Sequence, residues 1–160
     1  MQILKEVEVE VVQKHEMEIK ANARLGGYDL DKYCPLSEFK AFRVCLERVD
    51  ADRLYLLSQF AEYTKAQTCK LLDALPETAS NPRVATFISR IDLRSAVKLE
   101  LVIISVNARR GPLVIIDGNH RAIAHWLTHK CIHGVPAYVC EHPNVNQWPF
   151  LPQSARETIS

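Results

Sequence analysis

No stretch of this 160-residue chain stays apolar for the roughly 18 residues that a membrane-crossing helix needs, so a membrane-spanning role is not expected. Charge of one sign is also lacking: the net charge of +1 gives no global pull toward nucleic acid or anionic lipid. The five cysteines (Cys34, Cys45, Cys69, Cys131 and Cys140) are odd in number and widely spaced, and none forms a C-x-x-C pair. That argues against a secreted disulfide framework and for reduced thiols. The N-terminus has no basic head followed by an apolar run and small cleavage residues, and a cytoplasmic location is expected. There is no H-E-x-x-H pattern, internal repeat or low-complexity tract.

What the chain does have is an ordinary globular balance, 48% hydrophobic and 24% charged, which excludes a disordered or fibrous class. Its length suits one domain with a real core. Charge is unevenly spread. Residues 1–81 carry eleven basic and fourteen acidic side chains, whereas residues 82–140 carry eight basic and three acidic ones. The expected organisation is a single domain, 1–160: an N-terminal strand-plus-helices portion (1–81), a basic portion (82–140) and an irregular tail (141–160). A basic segment suits an anionic ligand.

Val7, Val9 and Val11 alternate with Glu6, Glu8 and Glu10, a period of two that predicts a half-buried strand, with a second strand over 14–23. Tyr28 to Pro35 reads as a loop after Gly26-Gly27. Ser37 is placed to cap a helix through Val49, with Phe39, Phe42, Leu46 and Val49 as its apolar stripe. A longer core-facing helix is predicted from Arg53 to Leu75, ended by Pro76, and 76–82 reads as a linker. A short helix over 84–91 follows. Leu99 to Val106 and Pro112 to Ile116 then form a hairpin around Asn107–Gly111, Asn119 to about Lys130 is helical, and Ala137 to Cys140 is a strand.

The chemistry concentrates in LVIIDGNHRAIAHWL, Leu113 to Leu127. An apolar strand runs through Asp117-Gly118 directly into an amphipathic helix whose Ile123, Trp126 and Leu127 share one face. Glycine lets the backbone turn sharply and lets a ligand come close. The first-turn N–H groups have no intrahelical acceptors, and the helix dipole places positive potential there, which together make an anion site. Arg121 can grip phosphate oxygens with two prongs, and His120 can donate or transfer a proton. Asp117 can hold a metal ion or orient His120 or Arg121.

IDGNHRAIA followed by VPAYV resembles the second box of the ParB/sulfiredoxin superfamily, over about residues 99–139. The resemblance implies an α+β fold, a small mixed β-sheet flanked by helices, with an N-terminal strand and helical extension. It also implies a nucleotide, phosphate or nucleic-acid ligand at the turn. The chain departs from several members. Sulfiredoxins have a catalytic cysteine where Asn119 stands, so sulfinic-acid reduction is not expected. Partition proteins add a helix-turn-helix domain downstream, which is not expected within the score of residues after Val139. Kinases that phosphorylate free serine have Asp-Gly-His-x-Arg, whereas here the order is Asp-Gly-Asn-His-Arg.

The expectation is therefore an enzyme of the nuclease, nucleotide hydrolase or small-molecule kinase type. The catalytic residues would be His120, Asp117 and Arg121, and the phosphate would lie on Gly118, Asn119 and Arg121. The implied cofactor is Mg2+ with ATP, CTP or another nucleotide. The alternative is a non-catalytic nucleotide- or nucleic-acid-binding module whose acidic N-terminal half binds a partner. Other features read as ordinary surface or packing: His125 and His129 as exposed histidines rather than zinc ligands, Arg109-Arg110 as a solvated turn, and Trp148 and Phe150 as pins for the tail.

Overall fold

Val9 and Val12 are buried while Val11, between them, is 46% exposed. That spacing belongs to a helix, and the computed structural model, which describes residues 1–19, 30–92 and 99–159, places it in one. Strand β1 covers Gln2–Val7 and helix α1 covers Val9–Ile19, so the expected alternating strand at Val7 to Val11 is overturned: a strand would have put Val9 and Val11 on one face. The second expected strand falls partly in α1 and partly, at 20–23, outside the described residues. The loop expected from Tyr28 to Pro35 contains a one-turn helix, α2, Leu30–Tyr33, whose Leu30 is buried.

The helix expected from Ser37 to Val49 is also overturned. Lys40–Cys45 is strand β2, paired antiparallel with β1 on one side and with β6 (Pro136–Glu141) on the other. Two-sided pairing in a sheet outweighs the apparent i, i+3 stripe. Val49, which that stripe would bury, is 69% exposed.

The predicted Arg53 to Leu75 helix does not form either. Leu54–Tyr55 is a short strand, β3, followed by 3₁₀ turns at Ser58–Tyr63, Lys65–Gln67 and Leu71–Asp73. Ala66, Gln67 and Cys69 have φ of 53°, 55° and 57°, a left-handed conformation that no α-helix contains. The segment folds back on itself through the bridges Tyr55 to Lys70 and Thr64 to Ala74. Leu54 in β3, Leu57 just before the first turn and Phe60 within it are nonetheless buried in the core.

Residues 76–82 are structured rather than a linker. Pro76–Ser80 makes a 3₁₀ turn, and Asn81 Oδ1 accepts from the N–H groups of Arg83 (3.0 Å) and Val84 (3.3 Å). Asn81 thereby caps α3, Pro82–Asp92, whose proline at the first position needs no acceptor.

Strands β4 (Leu101–Ser105) and β5 (Leu113–Asp117) are buried along their whole length and form the expected antiparallel hairpin. Such uninterrupted apolar runs fit strands covered on both faces. The sheet order is β1-β2-β6-β4-β5-β3, mixed because β4 runs parallel to β6 and β5 parallel to β3. Helix α4 (Asn119–His129) packs beside α3. The fold is thus α+β, and one sheet joins strands from both the 1–81 and 82–140 portions.

The tail is not irregular. It forms a 3₁₀ turn at Pro143–Gln147 and a short helix, α5, at Gln153–Arg156. Val145, Trp148, Leu151 and Ala155 are buried, and Arg156 donates to the carbonyls of Asn146 and Trp148. No helix among the described residues is long and apolar enough to cross a membrane.

Candidate functional site

At the end of β5, Gly118 takes φ 95°, ψ 18°, the left-handed region. A Cβ there would lie 2.8 Å from Leu101 Cδ2 and 3.2 Å from Arg121 Nη2, so both conformation and space demand glycine. Helix α4 begins at once: the Ala122 N–H donates to the Gly118 carbonyl at 2.8 Å. The amides of Asn119, His120 and Arg121 come before that first bond and have no intrahelical acceptor. Gly118 occupies the cap position and brings no capping side chain.

The five residues of the turn have different surroundings. Asp117 is buried and its Oδ2 lies 3.5 Å from Arg121 Nη2. That long contact is the one hydrogen bond Arg121 makes among the described residues, although its side chain is only 12% exposed. Most of the donors of this guanidinium have no acceptor among the described residues, at the positive end of a helix. Asn119 behaves differently. Its side-chain amide is a brace: Nδ2 donates to the Ile115 carbonyl at 3.0 Å, and Oδ1 accepts from the Leu57 N–H at 3.2 Å. Only its backbone can serve a ligand. The half-buried His120 ring stands edge-on to Phe60 (centroids 5.0 Å apart) and 6.2 Å from Tyr63, whose hydroxyl accepts from Asn81 Nδ2.

The strand register joins this turn to a second group of polar residues. Asp117 stands opposite Val102, Val102 opposite Tyr138, and Tyr138 opposite Arg43. Glu100, two residues before Val102, is buried and bonds across to Arg43 Nη2 at 2.5 Å and to His15 Nε2 at 3.1 Å. Its contact with Arg43 puts it on the face that this row of side chains shares. The His15 ring packs on Tyr138 (5.2 Å), and the Arg43 guanidinium lies 4.7 Å over the same ring. Arg43 Nη1 is buried without a hydrogen-bond partner among the described residues. Two buried carboxylates, Asp117 at the end of β5 and Glu100 just before β4, thus lie near Val102, where the β4–β5 register shifts.

Sequence reasoning missed Glu100, Arg43 and His15. The signal for Glu100 was a lone acid abutting the wholly apolar run Leu101–Ile104. Arg43 and His15 were hidden because their elements read as a helix and a strand.

Among the described residues, no group of three or more His, Cys, Asp or Glu side chains gathers as a metal site. The histidine rings of His125 and His129 lie 4.7 Å apart, and burial holds His125 below its ordinary pKa, helped by the neighbouring His129. His142 is buried, bonded through Nε2 to Glu38 and through Nδ1 to the Asn144 amide. Magnesium is commonly held by one or two carboxylates plus substrate phosphates, and the one carboxylate within the turn is the buried Asp117. All five cysteines are free, and burial pushes the Cys34 thiol up to about 11.

No family model, curated protein or solved structure matches the chain.

Proposed function

We propose that this protein binds a phosphate-bearing ligand at the Asp117–Arg121 turn and acts on its phosphoryl or phosphodiester group, as a ParB/sulfiredoxin-like enzyme would. The observation that carries this is Arg121: a largely shielded guanidinium with one 3.5 Å bond among the described residues, beside three first-turn amides. Such an arrangement offers charge-assisted donors to an anion with little rearrangement. In this account the backbone of Gly118 and Asn119 and the side chain of Arg121 hold the phosphate. His120 acts as general acid or electrostatic stabiliser. Asp117 holds Arg121 in place until the ligand arrives. Asp117 would be the protein carboxylate for a magnesium ion bound with a nucleotide such as ATP or CTP, which would neutralise phosphate charge. Free thiols, two of them with pKa values raised by burial, support a cytoplasmic, reducing setting.

A second class, a non-catalytic module that binds nucleotide or nucleic acid, is favoured by one observation: His120 is packed against Phe60 and Tyr63, as a structural side chain would be. Turnover decides between them. Wild-type protein and His120→Ala are incubated with magnesium and ATP, CTP, GTP or short single-stranded DNA. Product formation that falls about a hundredfold in the variant supports the enzyme. Ligand binding without product in the wild type supports the module and sinks the enzyme.

A further inference from the structure

We infer that the cavity at the C-terminal end of α4 is a second ligand site, for a small organic anion with a flat apolar body, an aromatic carboxylate. This does not depend on the phosphate reading of the turn at the other end of the same helix.

Helix α4 is 11 residues long, so its two ends stand about 16 Å apart at 1.5 Å per residue. Its last turn closes one side of a cavity of about 330 Å³. That volume falls within the range of small-molecule sites, roughly 300–1,000 Å³. Trp126, His129 and Lys130 come from α4 and Ile132 from the loop beyond it, while Arg48 and Ala51 come from the 3₁₀ turn Arg48–Arg53. None of the residues around the cavity is acidic.

The walls supply both halves of what such a ligand needs. Trp126, Ala51 and Ile132 offer an apolar surface, and Arg48 and Lys130 offer positive charge that no carboxylate among the described residues neutralises. The Lys130 ammonium lies 6.0 Å from the centroid of the Trp126 ring, so charge and aromatic surface adjoin. The negative end of a helix accounts for a basic residue in its last turn. It does not account for Arg48, which a different element brings to the same cavity. Lys130 itself stands at φ 50°, ψ 31°, the left-handed cap position where glycine is usual and a lysine is strained. Strain kept at the rim of a cavity points to use of the side chain that causes it. Trp126 adds a third observation: its Nε1 is buried with no hydrogen-bond partner among the described residues. A donor left in that state calls for an acceptor from outside the chain, and the cavity adjoins this residue. In the occupied site the Arg48 fork and the Lys130 charge hold the carboxylate, and the ligand ring lies along Trp126.

The test is an NMR titration of the isotopically labelled full chain with benzoate. Benzyl alcohol, which keeps the ring without the charge, and inorganic phosphate, which keeps charge without the ring, are the controls. The chain has two tryptophans, Trp126 and Trp148, and Trp126→Phe assigns their indole signals. Benzoate should move the Trp126 indole signal saturably, with a Kd of about 1 mM or lower, and leave that of the buried Trp148 in place. Each control should bind about tenfold more weakly, and Arg48→Gln and Lys130→Gly should each weaken benzoate by about the same factor. Lys130→Gly should keep or raise Tm, because glycine takes the left-handed cap without strain, so weaker binding there is not loss of fold. No saturable shift with benzoate overturns the inference. So does either control binding as tightly as benzoate, or an affinity for benzoate unchanged in either variant.

Discussion

Asn119 Oδ1 accepts a hydrogen bond from the Leu57 N–H at 3.2 Å, tying the start of α4 to the chain beside β3, 62 residues away in sequence. The other end of the same amide holds the Ile115 carbonyl in β5. Asn119 is 6% exposed, so Asn119→Ala leaves a buried donor and a buried acceptor unpaired. The expected cost is about 1–3 kcal/mol for each group left unsatisfied, read as a lower urea midpoint. Stability equal to wild type would show that the amide is not a brace.

Gly118→Ala should cost about 2 kcal/mol or more. It forces an L-residue to φ 95° and sets a methyl group 2.8 Å from Leu101 Cδ2. Thermal denaturation checks this, and an unchanged Tm would contradict the geometry of the turn.

The contrast between these two neighbours shows what was legible in the sequence. Gly118 was legible because a strand-to-helix turn is local: the apolar run Leu113–Ile116, the Asp-Gly pair and the helical spacing of Ile123, Trp126 and Leu127 lie in one stretch. The β4–β5 hairpin, α3 and β6 were legible for the same reason. The role of Asn119 was not, since Leu57 meets it only after the chain has folded. In Lys40–Cys45, apolar spacing suggested a helix, and pairing with β1 and β6 overrode it. In Arg53 to Leu75 the buried Leu54, Leu57 and Phe60 mimicked a helical stripe, but they fall on a short strand, the residue before a 3₁₀ turn and the turn itself, with Tyr55 and Leu56 buried as well. Glu100 and His15, far apart in the sequence, meet for reasons no local pattern records.

His125 gives a prediction about pH. Burial first, and then the His129 charge, lower its pKa from the ordinary 6.5 in the folded protein, while the Cys131 backbone opposes them. Between the lowered folded value and 6.5, the unfolded chain binds a proton that the folded chain does not, so stability falls as pH drops through this window and is level above it. Urea midpoints at pH 7.5 and 5.5 should therefore differ less in His125→Gln than in wild type. An equal difference in both would assign the pH dependence to other groups.

The most direct test of the phosphate site is a thermal-shift comparison of wild type, Arg121→Ala and Arg121→Lys against phosphate, ATP, ADP, CTP, GTP and short single-stranded DNA, each with and without magnesium. A ligand at about a hundred times its Kd adds roughly 2.7 kcal/mol, a shift of several degrees for a domain of this size. The account predicts such a shift for at least one of them, abolished in Arg121→Ala and reduced in Arg121→Lys, which cannot grip two oxygens with a planar fork. A shift of the same size in all three proteins, or none in wild type, would contradict it.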